Sequence, residues 1–117
     1  MKTGLSSIGR AFAYGECSGC IGKHLFAKHL AALGLEVEER AYSINVLEFE
    51  RLTFEFDQHT DDMATIEATA ATLSVLRANA HRLHEVLTRG EVRHWIEVTD
   101  AVQNRLEILH YNWPDEG

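Results

Sequence analysis

Proline is almost missing from this chain: its 117 residues include one, Pro114. Cysteine is nearly as scarce, with Cys17 and Cys20 alone, so a disulfide framework is excluded. No apolar run reaches the length that a bilayer crossing needs. The opening Met1-Lys2-Thr3-Gly4-Leu5-Ser6-Ser7 has no apolar stretch of the kind that drives export. These absences predict a cytoplasmic protein with reduced thiols and no membrane contact. Basic excess is also lacking. The net charge is −7, the wrong sign for direct contact with nucleic acid phosphates. Repeats, low-complexity tracts, nucleophile elbows, zincin helices and EF-hand loops are absent as well.

What is present suits one ordinary domain. The chain is 45% hydrophobic and 25% charged, enough to build a core without a staple. A single domain is expected over residues 1–112, with 113–117 as a loose tail. The acidity is concentrated: residues 36–67 carry ten acids against Arg40 and Arg51, a balance of −8, whereas the rest stands at +1.

The hydrophobic periodicity predicts the order β-α-β-β-α-β-β. Ile8, Phe12 and Tyr14 alternate in a strand over 5–14. A helix follows from Ser18, its expected N-cap, to Leu33, with Gly34 ending it and Leu25, Phe26, Leu30 and Leu33 on one face. Val37–Ile44 reads as a strand. Leu47, Phe49, Leu52, Phe54 and Phe56 then continue with period two across a slip near Arg51, either a bulge or a tight connection. Steps of three and four from Met63 through Ile66, Ala70, Leu73, Leu76, Ala80 and Leu83 to Leu87 predict one long helix over 61–89, closed by Gly90. Two strands are expected in 91–112, with a polar turn at 100–104. The economical packing is ferredoxin-like: a mainly antiparallel sheet with both helices on one face. Its other face would then be open, decorated by Glu48, Glu50, Glu55 and Asp57, with Trp95 sharing it in one register.

Cys17-Ser18-Gly19-Cys20 lies at the strand-to-helix turn, with His24 one helical turn beyond Cys20. Cys20 and His24 at i and i+4 can face one ion, and Cys17 can supply a third ligand to Zn or Cu. Phasing turns Cys20 and His24 toward solvent and puts His29 in the apolar face. The run Gly15-Glu16-Cys17-Ser18-Gly19-Cys20-Ile21-Gly22-Lys23 resembles the metal loop of heavy-metal-associated domains. That resemblance, over residues 12–46, implies a ferredoxin-like fold carrying a soft ion on Cys17 and Cys20. It departs in placing Glu16 alone between the glycine and the first cysteine. Thioredoxin-like redox chemistry is disfavoured, because such folds place a cis-proline beside the dithiol. A P-loop also fails, for lack of Gly at Cys17 and Ser or Thr at His24.

His81 and His84 stand at i, i+3 on the long helix, where boundary histidines are commonly without function. His59 reads as part of a helix-entry turn, and His94 and His110 as strand residues. Carboxylate pairs are plentiful, but none is marked as a buried catalytic acid. The reading is therefore a non-enzymatic binding protein. Its acidic face, carried by Glu48, Glu50, Glu55 and Asp57 with Trp95 or Tyr14 as aromatic anchors, would meet a basic, nucleic-acid-handling protein. An inhibitor or immunity protein, or a nucleic-acid mimic, would take this form. The alternative is soft-metal (Zn or Cu) binding or transfer through Cys17, Cys20 and His24. A homodimer through the long helix, around Leu73 and Leu83, or through a sheet edge is a third arrangement.

Overall fold

The computed structural model describes residues 11–20, 22–56, 62–100, 102 and 104–113. Expectations at residues 5–10, Asp57, His59, Asp61 and 114–117 lie outside these. The elements are β1 (Ala11–Ser18), α1 (Lys23–Ala32), β2 (Val37–Glu39), β3 (Ser43–Val46), β4 (Leu52–Phe56), β5 (Met63–Ala70), α2 (Leu73–Arg89), β6 (Arg93–Thr99) and β7 (Arg105–Tyr111). The class is α+β, with one seven-stranded sheet in the order β2-β3-β4-β5-β1-β6-β7. Every neighbouring pair is antiparallel. The order differs from the ferredoxin-like one, so that part of the expectation is corrected. Two extra strands account for the difference.

The first comes from the expected long helix. Its opening segment is β5, in which Ala64, Ile66, Ala68 and Ala70 are buried in strict alternation. Met63, Ile66 and Ala70 fit a helical stripe as well as a strand, but Thr65, Ile66 and Thr69 are β-branched and favour the pleated form. The helix starts where a cap exists: the Thr72 hydroxyl accepts from the Val75 N–H at 3.2 Å. Thr72→Ala is expected to cost about 1 kcal/mol in chemical denaturation. The second extra strand comes from Val37–Ile44, which folds back on itself as the β2–β3 hairpin. At the amino end, β1 runs through Cys17 to Ser18, so Ser18 does not cap α1; Gly22, at φ 85°, stands there instead. The slip near Arg51 is a tight connection, because residues 47–51 form the link between β3 and β4.

The chain path positions everything else. β1 is an interior strand, and β5 and β6 flank it, both antiparallel to it. They therefore run the same way, and α2 bridges them as a split β-α-β connection over β1. α1 packs on β2 and β3, and α2 on β1, β5, β6 and β7. Beneath α2 the strands present small residues, Ala11, Ala13 and Gly15 of β1 and Ala68 and Ala70 of β5. These let Leu76, Leu83 and Leu87 settle close to the sheet, fully buried. Away from β1 the inner face carries larger groups: Ile44, Val46, Leu52 and Phe54. Phe26 of α1 meets Phe54 edge-on, ring centres 5.2 Å apart at 77°.

The two helices join at their carboxyl ends. Arg89 donates to the Leu33 carbonyl at 2.9 Å, and His29 Nε2 to the Gly90 carbonyl at 3.1 Å. His29 is thus an exposed bridging residue and not part of the apolar face, and Leu25 is also exposed, at 56%. Gly34, at φ 103°, ends α1 as expected, with its N–H on the Ala31 carbonyl. After α2 the left-handed residue is Glu91, not Gly90. A Cβ on Gly90 would press on the Leu33 and His29 side chains, which would have to shift to admit it.

Candidate docking face

Both helices cover the same side of the sheet, and the alternate residues of each strand point the other way. Register defines the rows on that open side, because residues opposite one another in an antiparallel ladder share a face. One row reads Thr53, Glu67, Tyr14, Glu97, Ile108 across β4, β5, β1, β6 and β7. The next reads Glu55, Thr65, Glu16, Trp95, His110. Beyond the first row lie Thr69, Phe12, Thr99 and Arg105.

Carboxylates and aromatic rings therefore alternate on this surface. Phe12 is 43% exposed and Tyr14 45%, high values for residues of an interior strand, and Ile108 of the edge strand β7 is 43% exposed. The Tyr14 and Trp95 rings meet edge to face at 5.8 Å. The Trp95 indole N–H donates to Glu16 Oε1 at 3.2 Å, which fixes the indole on the sheet. Basic groups stand at the β6–β7 margin. Arg105 reaches Glu97 at 3.5 Å, and Arg93 donates to the Asn112 carbonyl at 3.1 Å.

Of the residues expected to form an acidic sheet face, Glu55 and Trp95 lie on it, in one row. Asp57 lies outside the described residues. Glu48 and Glu50 are elsewhere: both fall in the β3–β4 connection and turn toward the helix side of the sheet. Glu48 accepts from Arg82 of α2 at 2.9 Å, and Glu50 from the Ala71 N–H at 3.3 Å. Period two had placed them in a strand, and the turn at 47–51 breaks that phase. Glu16, Glu67 and Glu97 were not singled out, since they come from strands far apart in sequence. Their one signal is alternation with inward Gly15, Ile66 and Ile96.

The thiols behave differently from expectation. Cys17 and Cys20 are fully buried, with Sγ atoms 3.3 Å apart. Cys20 precedes α1, so helical phasing does not turn it outward; its N–H bonds the Asp62 carbonyl at 3.1 Å and draws it into the core. His24 is not brought to them. Its side chain is 73% exposed and its Nδ1 lies 2.9 Å from Glu39. The hydrogen bond to Cys20 and burial push the Cys17 thiol well above its ordinary pKa, which disfavours the thiolate that a metal or an electrophile needs. Among the described residues no three His, Cys, Asp or Glu side chains are grouped to hold a metal ion.

The histidines hold one pairing that the sequence does not announce. His84 Nδ1 lies 2.8 Å from His94 Nε2, and His94 Nδ1 lies 2.7 Å from the Val92 carbonyl. A carbonyl only accepts, so His94 carries its proton on Nδ1, and its Nε2 accepts from His84. His94 is fully buried and stacks on Tyr111, ring centres 6.2 Å apart. Burial brings its pKa down to about 4. His81 is separate: it and Arg77 both bind Glu107 of β7, at 3.1 and 3.0 Å. Burial works against that carboxylate's charge, but the two partners outweigh it and hold its pKa below the ordinary value. The shallow depression beside Leu73, Ser74, Arg77, Ala78 and His81 is thus walled by groups that already tie α2 to β7.

No family model, curated protein or solved structure matches this chain. Among the described residues no helix is long and apolar enough to cross a membrane.

Proposed function

We propose that this chain is a binding protein whose open sheet face docks onto a basic macromolecular partner. The observation that carries the reading is the mixture on that face: Glu16, Glu55, Glu67 and Glu97 interleaved with Phe12, Tyr14 and Trp95. Stable interfaces are built from aromatic anchors inside a charged rim, and carboxylates steer a Lys- or Arg-rich surface toward them. The partner class is a basic protein, of the kind that handles nucleic acid, which makes an inhibitor or immunity protein the concrete form. Glu55 and Trp95 belong to this face, whereas Glu48, engaged by Arg82, lies outside it.

The test is retention from a lysate of the protein's own cells. The immobilised chain is expected to hold a basic protein that leaves as salt rises. Glu48→Gln should keep that protein, and the double variant Glu55→Lys, Glu67→Lys should lose it while melting within a few degrees of the parent. Undiminished retention by the double variant would contradict the reading, as would a bound protein of acidic character.

Soft-metal binding through Cys17 and Cys20 stays as the second reading, favoured by the 3.3 Å between their sulfur atoms. It predicts one Zn or Cu ion per chain in native mass spectra, lost in the Cys17→Ser, Cys20→Ser variant. Two protonated, buried thiols and no metal uptake would refute it.

A further inference from the structure

Tyr14 occupies an unusual place on the open face. Its neighbour across β5 is Glu67 and its neighbour across β6 is Glu97, so a carboxylate flanks the phenol on each side. Such cross-strand pairs place their Cβ atoms about 5 Å apart. The Trp95 ring closes a third side at 5.8 Å. Glu16 takes up the indole N–H, so the ring presents only apolar and π surface outward. The chain also shows what such a spot accepts. Arg105, from β7, brings its guanidinium within 3.5 Å of the Glu97 carboxylate while its side chain stays 59% exposed.

We propose that Tyr14 and Trp95, with Glu67 and Glu97 beside them, form a receptor for an arginine side chain of the partner. The proposal rests on the docking reading and narrows it from a basic partner to one anchored by arginine. The chemistry separates arginine from lysine. A guanidinium is planar, weakly hydrated and forked, so it can lie flat on an aromatic ring while its N–H edge meets a carboxylate. An ammonium is compact and strongly hydrated; it would gain the charge attraction of Glu67 and Glu97 but little from the rings. The arrangement therefore discriminates between cations of equal charge, which an acidic patch alone does not.

The probes are nona-arginine and nona-lysine peptides, equal in length and charge. The reporter is Trp95 fluorescence in a Trp113→Phe background, which leaves Trp95 as the one indole. At about 0.15 M salt the arginine peptide is expected to bind roughly three- to fivefold more tightly, the size of one exposed cation–π contact. Tyr14→Leu should erase that difference and leave both peptides at the lysine level. Tyr14→Phe, which keeps the ring, should preserve it. Equal affinities for the two peptides, both weakened by the double variant Glu67→Gln, Glu97→Gln, would overturn the arginine receptor and leave the docking reading standing. A preference for arginine that survives Tyr14→Leu would also overturn the receptor. Failure of both peptides to bind would overturn the receptor and the docking reading together.

Discussion

Gly15→Ala is expected to cost at least ~3 kcal/mol of folding stability, and Gly15→Val to prevent folding altogether. Gly15 lies in β1, an interior strand, opposite Ile66 on one side and Ile96 on the other. A Cβ built on it would overlap the Trp95 carbonyl oxygen and come within 2.9 Å of Ile96 Cα. Both are backbone atoms of a strand paired along its length, so they cannot swing aside as a flexible side chain could. The strain would spread through the β1–β6 ladder and into the packing of α2 above it. Gly34→Ala serves as the contrast. Gly34 adopts φ 103° but has nothing within 4 Å of the added carbon, so only the left-handed backbone is penalised, by about 1 kcal/mol. Urea denaturation of the two variants separates the mechanisms. Equal losses would show that close approach at Gly15 is not what demands glycine there.

Acid is expected to weaken the fold in a window set by His94. Its ordinary pKa is 6.5 and its folded value is about 4, because burial disfavours the imidazolium. The unfolded chain therefore binds the proton first as pH falls. The contribution is fully present above pH 6.5 and is lost progressively on the way down to about 4. The ceiling on that loss is about 3 kcal/mol, from 1.36 kcal/mol per pH unit. His84 adds to it in the same direction, since burial followed by its histidine neighbours also lowers its pKa. Denaturation at pH 7 and pH 4.5 should show most of the loss. His94→Gln should be less stable at pH 7, because it disturbs the partners at Val92 and His84, yet should have a much flatter pH profile. A wild-type profile that is flat between pH 6.5 and 4.5 would show that His94 is not held neutral by burial.

The sequence made the antiparallel α+β class legible because most elements carry one unambiguous period. Leu76, Ala80, Leu83 and Leu87 are buried as their spacing requires, and His94, Ile96 and Val98 alternate inward in β6. The polar turn after β6 is also where expected, with Asp100 Oδ1 accepting from Val102 and Asn104 N–H groups at 3.0 and 2.9 Å. The failures lie where periods overlap. The segment from Met63 to Ala70 is so rich in alanine and threonine that steps of two, three and four all find apolar partners. Treating it as helix removed the strand that neighbours β1, and with it the correct sheet order. The site was harder to read for a different reason. Local charge density pointed to residues 36–67, yet the rows around Tyr14 join β1, β5 and β6, separated by tens of residues. No local window contains Glu16, Glu67 and Glu97 together; only the register does. The cysteines were misplaced by one element, because β1 continues through Cys17 and carries its sulfur to the core side.

The open sheet face is the centre of this account, and amide shift mapping tests it most directly. A ¹H–¹⁵N correlation spectrum of the labelled chain would be titrated with nona-arginine peptide at about 0.15 M salt. The account predicts saturable shifts at Tyr14, Glu16, Glu67, Trp95 and Glu97 and at the Trp95 indole, with α1 and the Glu48–Arg82 rim unmoved. Shifts confined to that rim or to α1, with Tyr14 and Trp95 silent, would contradict it.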